Sequence, residues 1–120
     1  MLLSLAVVPA LLAQDVGRTL RWGHAQYPRS GACFFKDAGF RGDYFCLRNG
    51  QMVGSLPGGF NDRISSIRTF GSSRVNLFND NNFRGQRITF RRSVQDLKSL
   101  RLQGTNKNWG DRISSISVNR

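Results

Sequence analysis

The chain has no glutamate, one histidine and two cysteines among its 120 residues. Each shortage closes off a class of chemistry. His24 is the sole imidazole and stands apart from the repeated part of the sequence, so no Ser-His-acid set can be assembled around it. Two cysteines and one histidine do not make a four-ligand zinc set. All negative charge comes from seven aspartates, and nothing in the sequence raises one carboxyl above another as an acid/base pair requires. There is no glycine-rich phosphate loop or metal-hydrolase motif. The expectation is a protein that is not an enzyme. A long apolar pattern of helical period is also missing, whereas 13 glycines and 9 phenylalanines suit short strands joined by tight turns. The length allows one domain, and its expected class is all-β.

What is present is said twice. Phe35-Lys36-Asp37-Ala38-Gly39-Phe40-Arg41-Gly42 recurs as Phe78-Asn79-Asp80-Asn81-Asn82-Phe83-Arg84-Gly85, and Asp62-Arg63-Ile64-Ser65-Ser66-Ile67 recurs as Asp111-Arg112-Ile113-Ser114-Ser115-Ile116. The offsets are 43 and 49 residues, so the second copy carries six additional residues between its blocks. A repeat of this size is one supersecondary unit used twice, each copy too small to bury its apolar face alone. Motif one is expected over residues 32–71 and motif two over 74–120.

Within motif two, Val75 and Leu77 share one strand face, and after the turn Ile88 and Phe90 return on one face with Arg87, Thr89 and Arg91 on the other. That pattern reads as a hairpin with one buried side. A connection with Val94, Leu97 and Leu100 at every third position has room for a short helical turn. It leads through Trp109 to a strand over 114–118, with Ile116 and Val118 pointing inward. Gly42 and Gly85 stand where a folded hairpin tip needs positive φ. Two such hairpin-and-return units predict Greek keys packed as a sandwich.

Aligned at the offset of 43, Cys33 falls over Asn76 and Cys46 over Thr89, while Phe45 and Leu47 fall over Ile88 and Phe90. Strand alternation then sends both cysteines to the face away from the core, where they can pair across the hairpin. Such a disulfide fits an oxidising compartment; two free thiols in a cytoplasmic protein is the other reading. Residues 1–13 are apolar except Ser4, too short to span a bilayer, and end on Ala13, as a secretory signal segment would. The expected location is therefore secreted or periplasmic. Residues 14–31 read as a linker or an added edge segment.

Fifteen arginines and three lysines against the seven aspartates leave a net charge of +11. The excess would attract anionic surfaces such as acidic polysaccharide, lipopolysaccharide or nucleic acid. Because the basic residues are spread over both repeats, a dedicated nucleic-acid site is not expected. A soluble, arginine-rich exterior is the plainer alternative.

An aromatic, four residues, a second aromatic, one residue and a glycine, followed by an aromatic and Asp-x-Ile-Ser-Ser-Ile, resembles the βγ-crystallin Greek key motif. Both copies fit, and they cover roughly residues 32–120. The resemblance implies a single wedge-shaped sandwich of two four-stranded Greek keys, expected to be monomeric. Phe60 and Trp109 take the aromatic position before each loop. Many members bind calcium through Asx-Asx-x-x-Ser/Thr-Ser, which Asn61-Asp62-Arg63-Ile64-Ser65-Ser66 matches in full. The second copy has Gly110 in place of the first Asx. Carried over, Asp62, Ser65, Asp111 and Ser114 would supply side chains, with carbonyls of Arg63, Arg112, Lys36, Asn79 and Asn61. Calcium favours such hard oxygen donors, and one carboxylate per loop beside an arginine suggests an affinity of roughly 10⁻⁵ to 10⁻³ M. The other reading is that these aspartates cap turns and the serines tie strand to hairpin. The resemblance extends to bacterial metalloproteinase inhibitors through the cysteine-bearing hairpin, which makes a secreted protease a possible partner. That inhibitor type carries two disulfides, so its inhibitory loop does not transfer residue by residue.

Overall fold

Alternating apolar residues set the strands. In the computed structural model, which describes residues 14–120, β1 is Gln14–Asp15, β2 Gly31–Asp37, β3 Arg41–Arg48 and β4 Gln51–Val53. The chain continues with β5 (Ser66–Phe70), β6 (Arg74–Asp80), β7 (Arg84–Phe90) and β8 (Ser115–Asn119). The signal segment expected over 1–13 lies outside the described residues. Ala32 and Phe34 stand opposite Leu47 and Phe45 across β2 and β3, and all four are buried. Val75 and Leu77 stand opposite Phe90 and Ile88 across β6 and β7. Ile116 and Val118 point inward from β8.

The hairpins belong to two sheets, ordered β3-β2-β5 and β1-β4-β8-β6-β7. One apolar cluster joins their inner faces, with Phe34, Phe45 and Ile67 from the first and Leu77, Ile116 and Val118 from the second. Each motif keeps three strands in its own sheet and lends a short one to the other. β4 of the first motif pairs with β8, and Val94 of the second bridges to Ile67 on β5. The all-β Greek key sandwich expected from the repeats is thus present, with this exchange of strands between motifs added to it. The three-residue periodicity of the connection forms a 3₁₀ turn at Leu97–Ser99.

Cys33 faces Cys46 across β2 and β3, and the two are joined by a disulfide. At the matching place in the second sheet, Thr89 Oγ1 donates to Asn76 Oδ1 at 2.8 Å. The same cross-strand position is therefore tied covalently in one repeat and by a hydrogen bond in the other. Although Cys33 and Phe35 point away from the core, both are buried. An aromatic roof explains this: Tyr27 lies 4.8 Å from Phe70 and 5.3 Å from Tyr44 between ring centroids, and Phe35 lies 4.8 Å from Tyr44. Desolvation, and then the neighbouring Tyr27, raise the Tyr44 phenol above its ordinary pKa. Its hydroxyl donates to the Ala25 carbonyl at 2.6 Å.

Residues 14–31 run along the sandwich. β1 pairs parallel with β4, Gly23 bridges to Tyr44 at the edge of β3, and Trp22 stacks on Phe60 at 4.9 Å while its indole N–H donates to the Gly59 carbonyl. Trp22 thereby closes the core beside Phe45 and Phe60.

The disulfide spans 13 residues. Closing a loop of that size restricts the unfolded chain, so Cys33→Ala/Cys46→Ala is expected to lower the unfolding free energy by about 3 kcal/mol. Urea denaturation of the variant against the oxidised parent measures it; an unchanged midpoint would mean that the bridge contributes nothing to stability.

Candidate functional site

Each hairpin folds over at its tip, and one serine holds it there. Phe40 and Phe83 have φ of 60° and 61°, and Gly42 and Gly85 have φ of 80° and 81°. Positive φ is ordinary for glycine but strained for an aromatic, by about 1–3 kcal/mol. Ser66 Oγ accepts from the Phe40 N–H at 3.0 Å and donates to the Asp37 carbonyl at 2.6 Å. Ser115 Oγ accepts from the Phe83 N–H at 2.9 Å and donates to the Asp80 carbonyl at 2.7 Å. Both serines are fully buried. The aromatic pairs close above them, with Phe35 and Phe40 at 6.0 Å and Phe78 and Phe83 at 5.6 Å between centroids.

Folding the tips over the return strands makes two polar pockets. Lys36, Asp37, Asp62, Arg63, Ser65 and Lys98 line the first. Asn61, Asn79, Asp80, Asp111, Arg112 and Ser114 are among the residues lining the second. All nine residues predicted as calcium ligands lie in one pocket or the other. In the second, Ser114 Oγ donates to the Asn79 carbonyl at 2.8 Å, bringing two of the predicted donors together. The Asp111 carboxylate accepts from Asn108 Nδ2 at 2.8 Å. Asn61, from the first loop, lines the second pocket, so the pockets are built across the motifs.

Sequence reasoning missed Asp37, Asp80 and Lys98. The two aspartates could have been found, since Asp37 and Asp80 occupy the same place in the two hairpin copies. Lys98 comes from the unrepeated connection and left no such signal. Its placement coincides with the departure at Gly110: a Cβ there would sit 3.1 Å from Asn108 Oδ1, 3.2 Å from the Ile64 carbonyl oxygen and 3.2 Å from Lys98 Cγ. A side chain at 110 has little room. The pockets consequently differ in charge. Three cationic side chains face two carboxylates in the first, whereas one faces two in the second. Among the described residues no three His, Cys, Asp or Glu side chains gather as a metal cluster, so any cation would rely on serine, amide and carbonyl oxygens beside these carboxylates.

A family model for peptidase inhibitor family I36 matches residues 23–90, more than half of the chain. Solved βγ-crystallin domains share the fold. One, from work on the evolution of the eye-lens βγ-crystallin domain fold, is 26% identical with a TM-score of 0.64, over 82% of this chain and 94% of that one. The βγ-crystallin of Ciona intestinalis is 27% identical with a TM-score of 0.54, over 72% and 96%. The βγ-crystallin domain of Abundant Perithecial Protein from Neurospora crassa, solved in its Ca2+-bound form, is 22% identical with a TM-score of 0.62, over 80% and 94%. No curated protein matches the sequence.

The serine bridges make a direct prediction. Ser66→Ala or Ser115→Ala leaves a strained aromatic N–H and a hairpin carbonyl without their partner, a loss of about 1–3 kcal/mol. Chemical denaturation of each variant should show a loss in that range; a change within about 0.5 kcal/mol, as for an ordinary surface site, would refute the bridging role.

Proposed function

The chain belongs to peptidase inhibitor family I36, and we propose that it acts outside the cell as a non-catalytic inhibitor of a secreted peptidase. The observation that carries this reading is the family match over 23–90, which takes in the whole disulfide-closed hairpin, the first loop and the β6–β7 hairpin. The physical form supports it. A chain segment held in place before binding loses less conformational entropy when a peptidase engages it, and here a disulfide, an aromatic roof and two serine bridges hold the framework. The disulfide also suits an oxidising compartment.

A second reading concerns calcium, and it is favoured by the asymmetry of the pockets. The second pocket offers the Asp80 and Asp111 carboxylates, Ser114 Oγ, the Asn79 carbonyl and Asn61, hard oxygen donors of the kind calcium takes. The first presents Lys36, Arg63 and Lys98 to an incoming cation, which oppose it. We infer one calcium ion, held by the second pocket, whose contribution is to stability because it would bind only the folded chain.

Both readings are measurable. Titrating the chain into thermolysin-like metallopeptidases and into serine peptidases should abolish one activity at about one inhibitor per enzyme; a panel left fully active at micromolar inhibitor would exclude the inhibitory role. Calorimetric titration with calcium should give a single site with a Kd of roughly 10⁻⁵ to 10⁻³ M. A rise in melting temperature should accompany it, removed by Asp111→Asn and kept by Asp62→Asn. Two equal sites, or no heat and no thermal shift at millimolar calcium, would overturn this assignment.

A further inference from the structure

The outer face of the five-stranded sheet gathers positive charge that is scattered in the sequence. Pairing aligns Arg74 with Asn119, Asn76 with Thr89 and Ser117, and Phe78 with Arg87 and Ser115, in successive rows on the face turned away from the core. Carrying the β6–β7 register one residue beyond Phe90 sets Arg91 across from Arg74. The middle row is an amide and hydroxyl platform, in which Thr89 Oγ1 donates to Asn76 Oδ1 and Asn76 Nδ2 donates to Ser117 Oγ at 3.1 Å. β7 and β8 contain no acidic residue, and the one in β6 is Asp80 at the hairpin end. Among the described residues the one ion pair joins His24 to Asp43, so the guanidiniums of Arg74, Arg87 and Arg91 have no carboxylate partner.

Like charges directly opposite each other on paired strands repel, and a bound anion between them removes the penalty. The repeat does not require this arrangement. At the matching places of the other sheet, Gly31 stands for Arg74 and Tyr44 for Arg87, and that face is roofed by the aromatic cluster around Tyr27. Arg74 and Arg87 therefore have no basic counterpart there, whereas Arg91 has one in Arg48, which stands opposite Gly31.

We propose that the outer face of β6, β7 and β8 binds an acidic polysaccharide. Four residues of strand separate Arg87 from Arg91 by about 13 Å, and Arg74 lies on the adjacent strand about 5 Å away. Guanidiniums so spaced meet successive anionic groups along an extended polymer instead of enclosing one small ion. Between them, Thr89, Ser117 and Asn119 present hydroxyls and an amide to sugar hydroxyls, held in place by the buried Asn76 beneath. Single-stranded nucleic acid is matched less well, because it uses aromatic platforms for its bases and the one ring in these rows, Phe78, is buried against Phe83.

The test uses the full chain and a fluorescent heparin-derived octasaccharide, with anisotropy read at several salt concentrations. Arg74→Gln/Arg87→Gln/Arg91→Gln is compared with Arg18→Gln/Arg21→Gln/Arg29→Gln, which removes equal charge from the N-terminal segment. The first variant should bind about tenfold more weakly or worse with a flatter salt dependence, and the second within about twofold of the parent. Arginine labelling of the parent by phenylglyoxal, mapped by mass spectrometry, does not depend on how the variants fold; the octasaccharide should protect Arg74, Arg87 and Arg91. Equal weakening of both variants, unprotected arginines, absence of binding at low salt, or tighter binding of a single-stranded oligodeoxynucleotide of matched charge would each overturn the proposal.

Discussion

Two serine hydroxyls carry the geometry on which the polar end of this molecule depends. Ser66 and Ser115 each accept from an aromatic N–H and donate to a hairpin carbonyl, and so hold a main chain that would otherwise leave the left-handed region at Phe40 and Phe83. With the tips folded over, Lys36 and Asp37 meet the first loop and Asn79 and Asp80 meet the second. Gly85 belongs to the same device, since a Cβ there would collide with the Asn79 and Asp80 side chains. Serine suits this role because one small buried hydroxyl can donate and accept at once.

Strand exchange couples the halves. β4 lies beside β8 and Val94 beside Ile67, so each motif completes the sheet of the other. Matching hydrogen bonds fix the crossings: the Asn82 N–H donates to the Gly54 carbonyl and the Gly39 N–H to the Gln95 carbonyl. The coupling also breaks the symmetry of the pockets. The six additional residues of the second copy lie in the connection that carries Lys98 toward the first pocket, where Gly110 leaves no side chain to compete with it. Two loops of nearly identical sequence consequently present opposite charge balances to a cation.

The remaining surface is divided by face. One sheet turns outward a disulfide under an aromatic roof, in which the Arg68 guanidinium lies 5.3 Å from the Tyr27 ring centroid. The other turns outward an open platform of arginine, amide and hydroxyl groups. An N-terminal segment that pairs with β4, bridges to β3 and stacks Trp22 on Phe60 makes this difference possible, because it covers the first sheet and leaves the second exposed. The sites proposed for a cation and for a polysaccharide thus lie on different parts of one framework.

Much of this was legible in the residues. Strand alternation placed Phe45, Leu47, Val75 and Leu77 in the core, and the same alternation set Cys33 opposite Cys46, because a period of two decides which face a side chain takes. The repeat identified both hairpin tips and both loops. It did not reveal that Asn61 serves the pocket of the other motif, that Lys98 enters the first, or that Arg74, Arg87 and Arg91 share one open face. Local pattern determines strand, turn and inward or outward direction, since these follow from backbone geometry within a few residues. Which motif completes which sheet, and therefore which charges become neighbours, was decided only by packing two halves together to bury one common core.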